Sequence, residues 1–322
     1  MIEKIDVEQD EKIRPRLLKD FVGQAALKDN LQVFMSAAKQ RQEAVDHILF
    51  YGPPGLGKTT LSFIIANEMN ANIKIASGPA LTKTQDINAL LTGLKSMDIL
   101  FIDEIHRLNI AIEEILYSAM EDFALDIIIG DGTSAKTVRV GLPRFTLIGA
   151  TTRMGLISNP LRDRFGILMR LEMYEVFELN KIVSRMSRLM NVEISDEAVE
   201  EISIRSRKTP RIAIRIFKRV RDFIEIDQQK KLIDKEFVLF ALNKMKIDKF
   251  GLDVNDYRYL RFIADNYFDR PVGIETIASG ILEKKDSVED TIEPYLIQIG
   301  FINKTSKGRM LTPKAIDHIL TI

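Results

Sequence analysis

The segment Gly52-Pro53-Pro54-Gly55-Leu56-Gly57-Lys58-Thr59 carries the glycine, lysine and hydroxyl spacing of a phosphate-binding loop. Its chemistry depends on context. Glycines let successive backbone N–H groups turn inward around an anion, and a helix N-terminus behind them adds a favourable dipole. Here an apolar run ends at Tyr51 and an amphipathic stretch starts at Thr59, so a strand and a helix are expected to flank the loop. In such a site Gly55 and Gly57 admit the phosphates and Lys58 reaches the β- and γ-phosphates. The Thr59 hydroxyl holds Mg²⁺, and Thr60 adds a further phosphate contact. Taken alone, the loop identifies a nucleoside triphosphatase and no more.

A second signal is Ile99-Leu100-Phe101-Ile102-Asp103-Glu104, an apolar run closed by two acids. At the end of a buried strand, Asp103 would hold Mg²⁺ through its water shell and Glu104 would polarise the attacking water. Two acids after a strand also describe a solvated turn, and the loop upstream favours catalysis. A third apolar run, residues 145–150, ends in Thr151 and Thr152, hydroxyls placed to meet that water or the γ-phosphate. Thr152 is the expected sensor, with little to separate it from Thr151; capping of the next turn accounts for both equally well.

Arg162 and Arg164 follow in Asn159-Pro160-Leu161-Arg162-Asp163-Arg164. An arginine reaching a neighbouring subunit's γ-phosphate speeds hydrolysis by roughly 10³–10⁵, whereas a salt-bridged surface helix is the commoner fate of such charges. Thr209-Pro210-Arg211 opens a basic helix in which proline suits the first turn and Arg211 would point toward nucleotide. A solvated face of an amphipathic helix explains that pattern too.

These groups need elements to hold them. Segments 47–51, 72–76, 99–102 and 145–150 have the length and composition of strands, and 59–69 and 112–120 of helices. Their alternation over residues 46–173 predicts an α/β fold, a mostly parallel sheet covered on both faces. From 174 to about 245 helical periodicity takes over, with Ile212, Ile216, Val220 and Phe223 on one stripe. Beyond 248 the order changes to a helix over 272–281, a turn at 283–286, and a second helix from Ser287 with Asp290 as a capping box. A hairpin over 301–311 follows, with its turn at 305–308. Helix, turn, helix, hairpin is a winged helix. Three domains are expected: 1–173, 174–246 and 247–322.

Composition narrows the classes. At 322 residues the chain exceeds one ordinary core. It has no cysteine and only three histidines, which excludes disulfides and thiolate metal sites and disfavours zinc. Residues 1–12 are mostly charged, without the apolar core of a signal peptide, and no apolar run spans a membrane, so a cytoplasmic protein is expected. Formal net charge is zero, against a protein that simply coats nucleic acid. Locally the balance breaks: residues 205–221 hold Arg205, Arg207, Lys208, Arg211, Arg215, Lys218, Arg219 and Arg221 with no acid.

Several segments together resemble the RuvB family of Holliday-junction branch-migration motors. They include Arg14-Pro15, Asp20-Phe-Val-Gly-Gln24, the stretch from Asp46 through the phosphate loop to Thr60, and Phe101-Ile-Asp-Glu-Ile-His-Arg-Leu108. Leu147-Ile-Gly-Ala-Thr-Thr-Arg153, Pro160-Leu-Arg-Asp-Arg-Phe-Gly166, Thr209-Pro-Arg-Ile-Ala213 and Glu293-Pro-Tyr-Leu-Ile-Gln298 extend it over residues 13–313. The resemblance implies an AAA+ P-loop ATPase domain, a helical lid and a C-terminal winged-helix head. It implies ATP and Mg²⁺, and a hexameric ring on duplex DNA that drives four-way junctions during recombination, repair and the SOS response. It makes Arg164 the trans-acting finger and Arg211 the lid's sensor. Ile13 and Arg14 would lie on the adenine side, Tyr174 at the hinge, and Glu121, Asp122 and Phe123 near the nucleotide.

Residues 125–143 read independently as a hairpin around Gly130-Asp131-Gly132, with exposed apolar residues. The resemblance makes this hairpin the dock for RuvA, with RuvC joining in the resolving complex; packing on its own domain is the alternative. The wing Asn303-Lys304-Thr305-Ser306-Lys307-Gly308-Arg309 resembles the family's DNA-contacting Arg-Thr-Pro-Arg-Gly-Arg, with lysine at 304 and 307 and serine at 306. Phosphate contact needs charge more than a planar fork, so Lys304, Lys307 and Arg309 are expected to meet DNA. Tyr267-Phe-Asp-Arg270-Pro271 also departs from the family, which usually has glycines before the proline.

Two other readings share these motifs. A clamp-loader subunit usually carries a Ser-Arg-Cys motif, and this chain has no cysteine. A winged-helix transcriptional regulator would present its second helix to a groove, yet Glu289, Asp290 and Glu293 make that helix acidic.

Overall fold

The computed structural model describes residues 14–129, 136–226 and 231–320; Ile13 and the Gly130-Asp131-Gly132 turn lie outside them. The chain divides into two compact units, one running to Glu172 and the other starting at Met173.

In the first unit, strands β1 (Ile48–Tyr51), β2 (Ile73–Ser77), β3 (Ile99–Asp103), β6 (Thr146–Thr151) and β7 (Ile167–Arg170) form a parallel sheet in the order β2-β3-β6-β1-β7. The inner strands are buried on both faces, which is why they read as unbroken apolar runs rather than alternating ones. Helices α1 (Ala25–Arg41), α2 (Lys58–Glu68), α3 (Thr84–Thr92), α4 (Ile110–Glu121) and the short α5 (Asn159–Asp163) surround it. Side chains from strands and helices meet in one core, among them Leu49, Ile102, Leu116, Leu147, Leu161 and Phe165. Because β6 lies between β1 and β3, the loop after β1, the acids after β3 and the threonines after β6 emerge side by side at the carboxyl edge. That edge is where open α/β sheets hold ligands.

Strands β4 (Ala124–Ile129) and β5 (Lys136–Gly141) pair antiparallel as the expected hairpin. Its base is anchored by buried Leu125 and half-buried Ile127, while Asp126, Thr137, Val138 and Arg139 face outward, Val138 being 41% exposed.

The second unit begins with α6 (Val176–Leu189), α7 (Asp196–Ile204), α8 (Pro210–Ile226) and α9 (Lys235–Lys244), plus the short parallel pair β8 (Glu193–Ile194) and β9 (Leu232–Ile233). Ile216 and Val220 of the expected stripe are buried with Ala213, Phe217 and Ile224; Ile212 and Phe223 form its half-buried rim. The head follows: α10 (Val254–Tyr267), α11 (Ile274–Gly280), α12 (Lys285–Ser287), a π turn (Val288–Ile292), α13 (Glu293–Gln298), β10 (Ile302–Thr305), β11 (Gly308–Leu311) and α14 (Pro313–Leu320).

Two local expectations change. Val272 is not helical: its N–H and carbonyl exchange hydrogen bonds with Arg309, adding a bridge to the wing. Ser287 is not a helix cap, because the helix already starts at Lys285 and Ser287 makes no capping hydrogen bond. A clasp also ties the helical bundle to the head within this unit. Arg207, though written in a basic run, is buried, pairs with Asp256 and with Asp253 at 3.2 Å, and donates to the Gly251 carbonyl at 2.7 Å. Burial holds the Asp256 carboxyl up at about 6 against the pull of Arg207.

Candidate nucleotide-binding site

The phosphate loop follows β1 directly. Gly55 and Gly57 have φ of 80° and 102°, and a Cβ at Gly57 would stand 3.0 Å from the Phe21 ring, so the loop's turn requires glycine there. Lys58, on the first turn of α2, is only 7% exposed, and its ammonium donates to the carbonyls of Gly52 (2.8 Å) and Pro53 (2.9 Å). Desolvation pulls its pKa down to about 8, opposed by the fields of Asp103 and Glu104. Thr59 and Thr60 are half-buried beside it. Arg14 is exposed, with its guanidinium 5.7 Å from the Phe63 ring of α2, the helix behind the loop.

Asp103 closes β3, and its Oδ1 accepts the Glu104 N–H at 3.0 Å. Glu104 adopts φ 52°. The neighbouring strand tip crowds it: a Cβ at Gly78 would fall 2.3 Å from the Glu104 carbonyl oxygen. The Glu104 carboxylate faces Nε2 of His106 at 3.4 Å, and His106 Nδ1 lies 2.9 Å from the Thr151 hydroxyl. Thr151 is fully buried and also accepts the Arg153 N–H at 2.9 Å. The Thr152 Oγ1, in contrast, is buried with no hydrogen-bond partner among the described residues. A buried hydroxyl in that condition costs on the order of 1–3 kcal/mol until something meets it. An orphaned hydroxyl, a desolvated cation and two acids at one strand edge fit a nucleoside triphosphate with a divalent metal.

Arg164 caps the C-terminus of α5 and turns toward α4, pairing with Glu121 at 2.5 Å and lying 5.7 Å from the Tyr117 ring. The helix carrying it is fixed from below. Buried Glu113 accepts from the Ser158 hydroxyl at 2.5 Å and the Tyr117 hydroxyl at 3.1 Å, and Ser158 caps α5. Sequence reasoning missed this cluster, although Ser-Asn-Pro is a helix-start signature. Glu121, Asp122 and Phe123 find their partners here rather than at the phosphate loop. Glu121 holds Arg164, Asp122 pairs with Arg139 of the hairpin at 2.6 Å, and Phe123 packs against His47, Phe145 and Arg144. Within this chain the three lie on the Arg164 side.

In the second unit Tyr174 is buried, and its N–H donates to the Lys208 carbonyl at 3.0 Å. Arg211 is exposed on the first turn of α8. On the wing, Lys304 and Lys307 are exposed, whereas Arg309 is only 7% exposed. Its guanidinium binds Glu293 at 2.8 Å and Glu289 at 2.9 Å, and the Tyr259 hydroxyl donates to the same Glu293 at 3.0 Å. The acids of the second helix thus engage Arg309, while the two lysines face solvent.

The profile described as "Holliday junction DNA helicase RuvB P-loop domain" matches residues 13–171, "RuvB AAA lid domain" residues 174–248, and "RuvB C-terminal winged helix domain" residues 249–320. The "Holliday junction branch migration complex subunit RuvB" of Rickettsia africae is 58% identical over 317 residues, covering 98% of this chain and 92% of that protein. That of Neorickettsia sennetsu is 54% identical over 322 residues, covering 100% and 97%. A solved structure of the Thermotoga maritima RuvB Holliday junction branch migration motor superposes with a TM-score of 0.88 at 46% identity, over 96% of this chain and 98% of that one. Each of the three segments of the fold meets its own family profile, and the chain belongs to the RuvB family of P-loop ATPases.

Proposed function

We propose that this protein hydrolyses ATP to drive branch migration of Holliday junctions, as a hexameric ring on duplex DNA working with RuvA. The observation that carries the reading is a site complete but for one charge. Lys58, Asp103, Glu104 and Thr152 gather at one sheet edge, while Arg164 is spent on Glu121 and Tyr117. A neighbour's Arg164 would supply the missing cation, and a closed ring gives every site such a neighbour.

In this reading Lys58 leaves the carbonyls of its own loop for the β- and γ-phosphates, and Gly55, Gly57 and Thr60 line them. Mg²⁺, held by the Thr59 hydroxyl and by Asp103 through water, supplies charge neutralisation. Glu104 polarises the attacking water and Thr152 orients it; Thr151 is unsuited to that task because His106 and Arg153 occupy its hydroxyl. Ile13 and Arg14 flank adenine, Tyr174 the hinge, and Arg211 reports ATP from the lid. Glu121, Asp122 and Phe123 would face a nucleotide only across the subunit boundary, alongside Arg164.

The outward residues of the β4–β5 hairpin are the proposed RuvA dock, with RuvC completing the resolving complex. Lys304, Lys307 and Arg309 are the proposed DNA contacts, with Arg309 held in place by Glu289 and Glu293. Few cations on a wing meet phosphates rather than base edges, so binding is sequence-independent and falls with salt.

The test is dissociation of a synthetic four-way junction with ATP and Mg²⁺, with and without RuvA, beside Glu104→Gln. The expected result is RuvA-stimulated dissociation that disappears in the variant. Hydrolysis without junction movement, even with RuvA, would point instead to a loader or a switch.

A further inference from the structure

We propose that His106 is a positioning residue, a hinge-pin between the sensor strand β6 and the carboxylate of Glu104; the proposal rests on the ATPase reading above and deepens it. His106 follows the acidic pair by two residues, and its side chain is 5% exposed. The bland account is a histidine filling a gap beneath the sheet edge. The contacts say more than that, because each ring nitrogen meets a different functional segment: Nε2 meets Glu104 after β3, and Nδ1 meets Thr151 at the end of β6.

Hydrogen-bond capacity orders these contacts in one direction. An ionised carboxylate only accepts, so the neutral ring keeps its proton on Nε2, toward Glu104. Nδ1 is then an acceptor and takes the Thr151 hydroxyl proton. The Thr151 oxygen still has lone pairs for the Arg153 N–H, which it accepts at 2.9 Å. No other assignment with a neutral ring satisfies all three groups. Thr151, His106 and Glu104 thus form a directed chain.

Its two links differ in strength. The Thr151 link is a full hydrogen bond at 2.9 Å, while the Glu104 link, at 3.4 Å, is long for one. The strong link fixes the imidazole to β6; the weak one yields first when the carboxylate turns toward water. Glu104 has little other freedom. Its backbone sits at φ 52°, its N–H is held by Asp103, and Gly78 lies against its carbonyl. Side-chain rotation is what remains, and His106 is the group on its path.

Thr152 follows Thr151 directly and carries the orphaned hydroxyl. A γ-phosphate or water that engages Thr152 displaces the same strand end to which the imidazole is fixed. The displacement reaches Glu104 through His106, so the carboxylate is turned toward the attacking water when the sensor is satisfied and held back when it is not.

The experiment compares steady-state ATP hydrolysis, nucleotide affinity and melting temperature in His106→Phe, which keeps ring volume without hydrogen bonds, and His106→Gln, which keeps a donor for Glu104. The full-length protein is used throughout. His106→Phe is expected to lower kcat at least about tenfold, with KM and nucleotide affinity within about twofold, and His106→Gln to restore part of the rate. In the Glu104→Gln background, His106→Phe is expected to have no further effect, since a positioner has nothing left to position. Should His106→Phe fold poorly, Thr151→Val cuts the chain at its other end and is expected to give the same kcat loss at constant KM. An unchanged kcat in both, a kcat loss matched by a comparable change in KM or nucleotide affinity, or a loss that adds to Glu104→Gln would each overturn the proposal. Wild-type protein that binds ATP without hydrolysing it would overturn the ATPase reading, and this proposal with it.

Discussion

Lys58 is stored as a cation in a place that disfavours charge. With its pKa lowered to about 8, a growing fraction of the side chain is neutral above that pH, and a neutral amine offers phosphate no attraction. Bound polyphosphate favours the charged form, so binding takes up a proton and affinity falls as pH rises. Between pH 7 and 9 nucleotide affinity should weaken roughly tenfold, while Lys58→Arg, whose guanidinium stays charged, should lose that slope. Fluorescent-nucleotide titrations of both proteins across the range decide the matter; parallel slopes would refute it. The two threonines allow a cleaner contrast at the same scale. Thr152→Val removes a hydroxyl that has no partner, so melting temperature should hold or rise while hydrolysis falls. Thr151→Val strips His106 and the Arg153 N–H of a shared partner, and should cost about 1 kcal/mol of stability as well as rate. Denaturant melts beside ATPase assays separate the two outcomes.

Elements follow the pattern of side chains closely where burial has one period and lose it where a face is shared. The runs ending at Tyr51, Asp103 and Thr151 were legible because strands buried on both faces have no polar interruption, and the loop chemistry came with them. The second head helix was legible too, but its start at Lys285 and the π turn at Val288–Ile292 were not, since that turn inserts a residue that no 3.6-residue period anticipates, just ahead of Pro294. The burial of Arg309 was not legible for a related reason. A wing rich in lysine and arginine looks uniformly basic, but Lys304 and Arg309 are cross-strand partners, and Glu289 reaches both, at 3.7 and 2.9 Å. The signal lay in Glu289 and Glu293, one helical turn apart, whose charge a basic wing packed against them would meet. The wing therefore divides by burial. Arg309→Ala leaves the buried Glu293 carboxylate without its cation and should destabilise the protein by roughly 3–5 kcal/mol in denaturant unfolding. Lys304→Ala and Lys307→Ala should leave stability alone, each lowering the slope of log K for DNA against log salt by about one. A stability loss from the lysines, or none from Arg309, would contradict that division.

For the whole molecule the consequential feature is Arg164, anchored on its own α4. Arg164 is turned to Glu121 and stacked near Tyr117, on a helix whose cap is held by Glu113, so it is presented rather than loose. Such anchoring makes sense if the residue serves a surface that another copy completes. Lys58→Ala and Arg164→Ala subunits should then each be inactive alone for different reasons, one unable to hold phosphate and the other unable to serve a neighbour. In an equimolar mixture, a site works when its own subunit keeps Lys58 and the adjoining one keeps Arg164. Random assembly satisfies both at about one site in four, so hydrolysis should recover to roughly a quarter of the wild-type rate per subunit. The recovery should disappear on dilution below the concentration at which rings form. A cis role for Arg164 predicts no recovery at any ratio, since no subunit in the mixture carries both residues, and sedimentation of the same mixtures would show whether rings had formed when the rate was read.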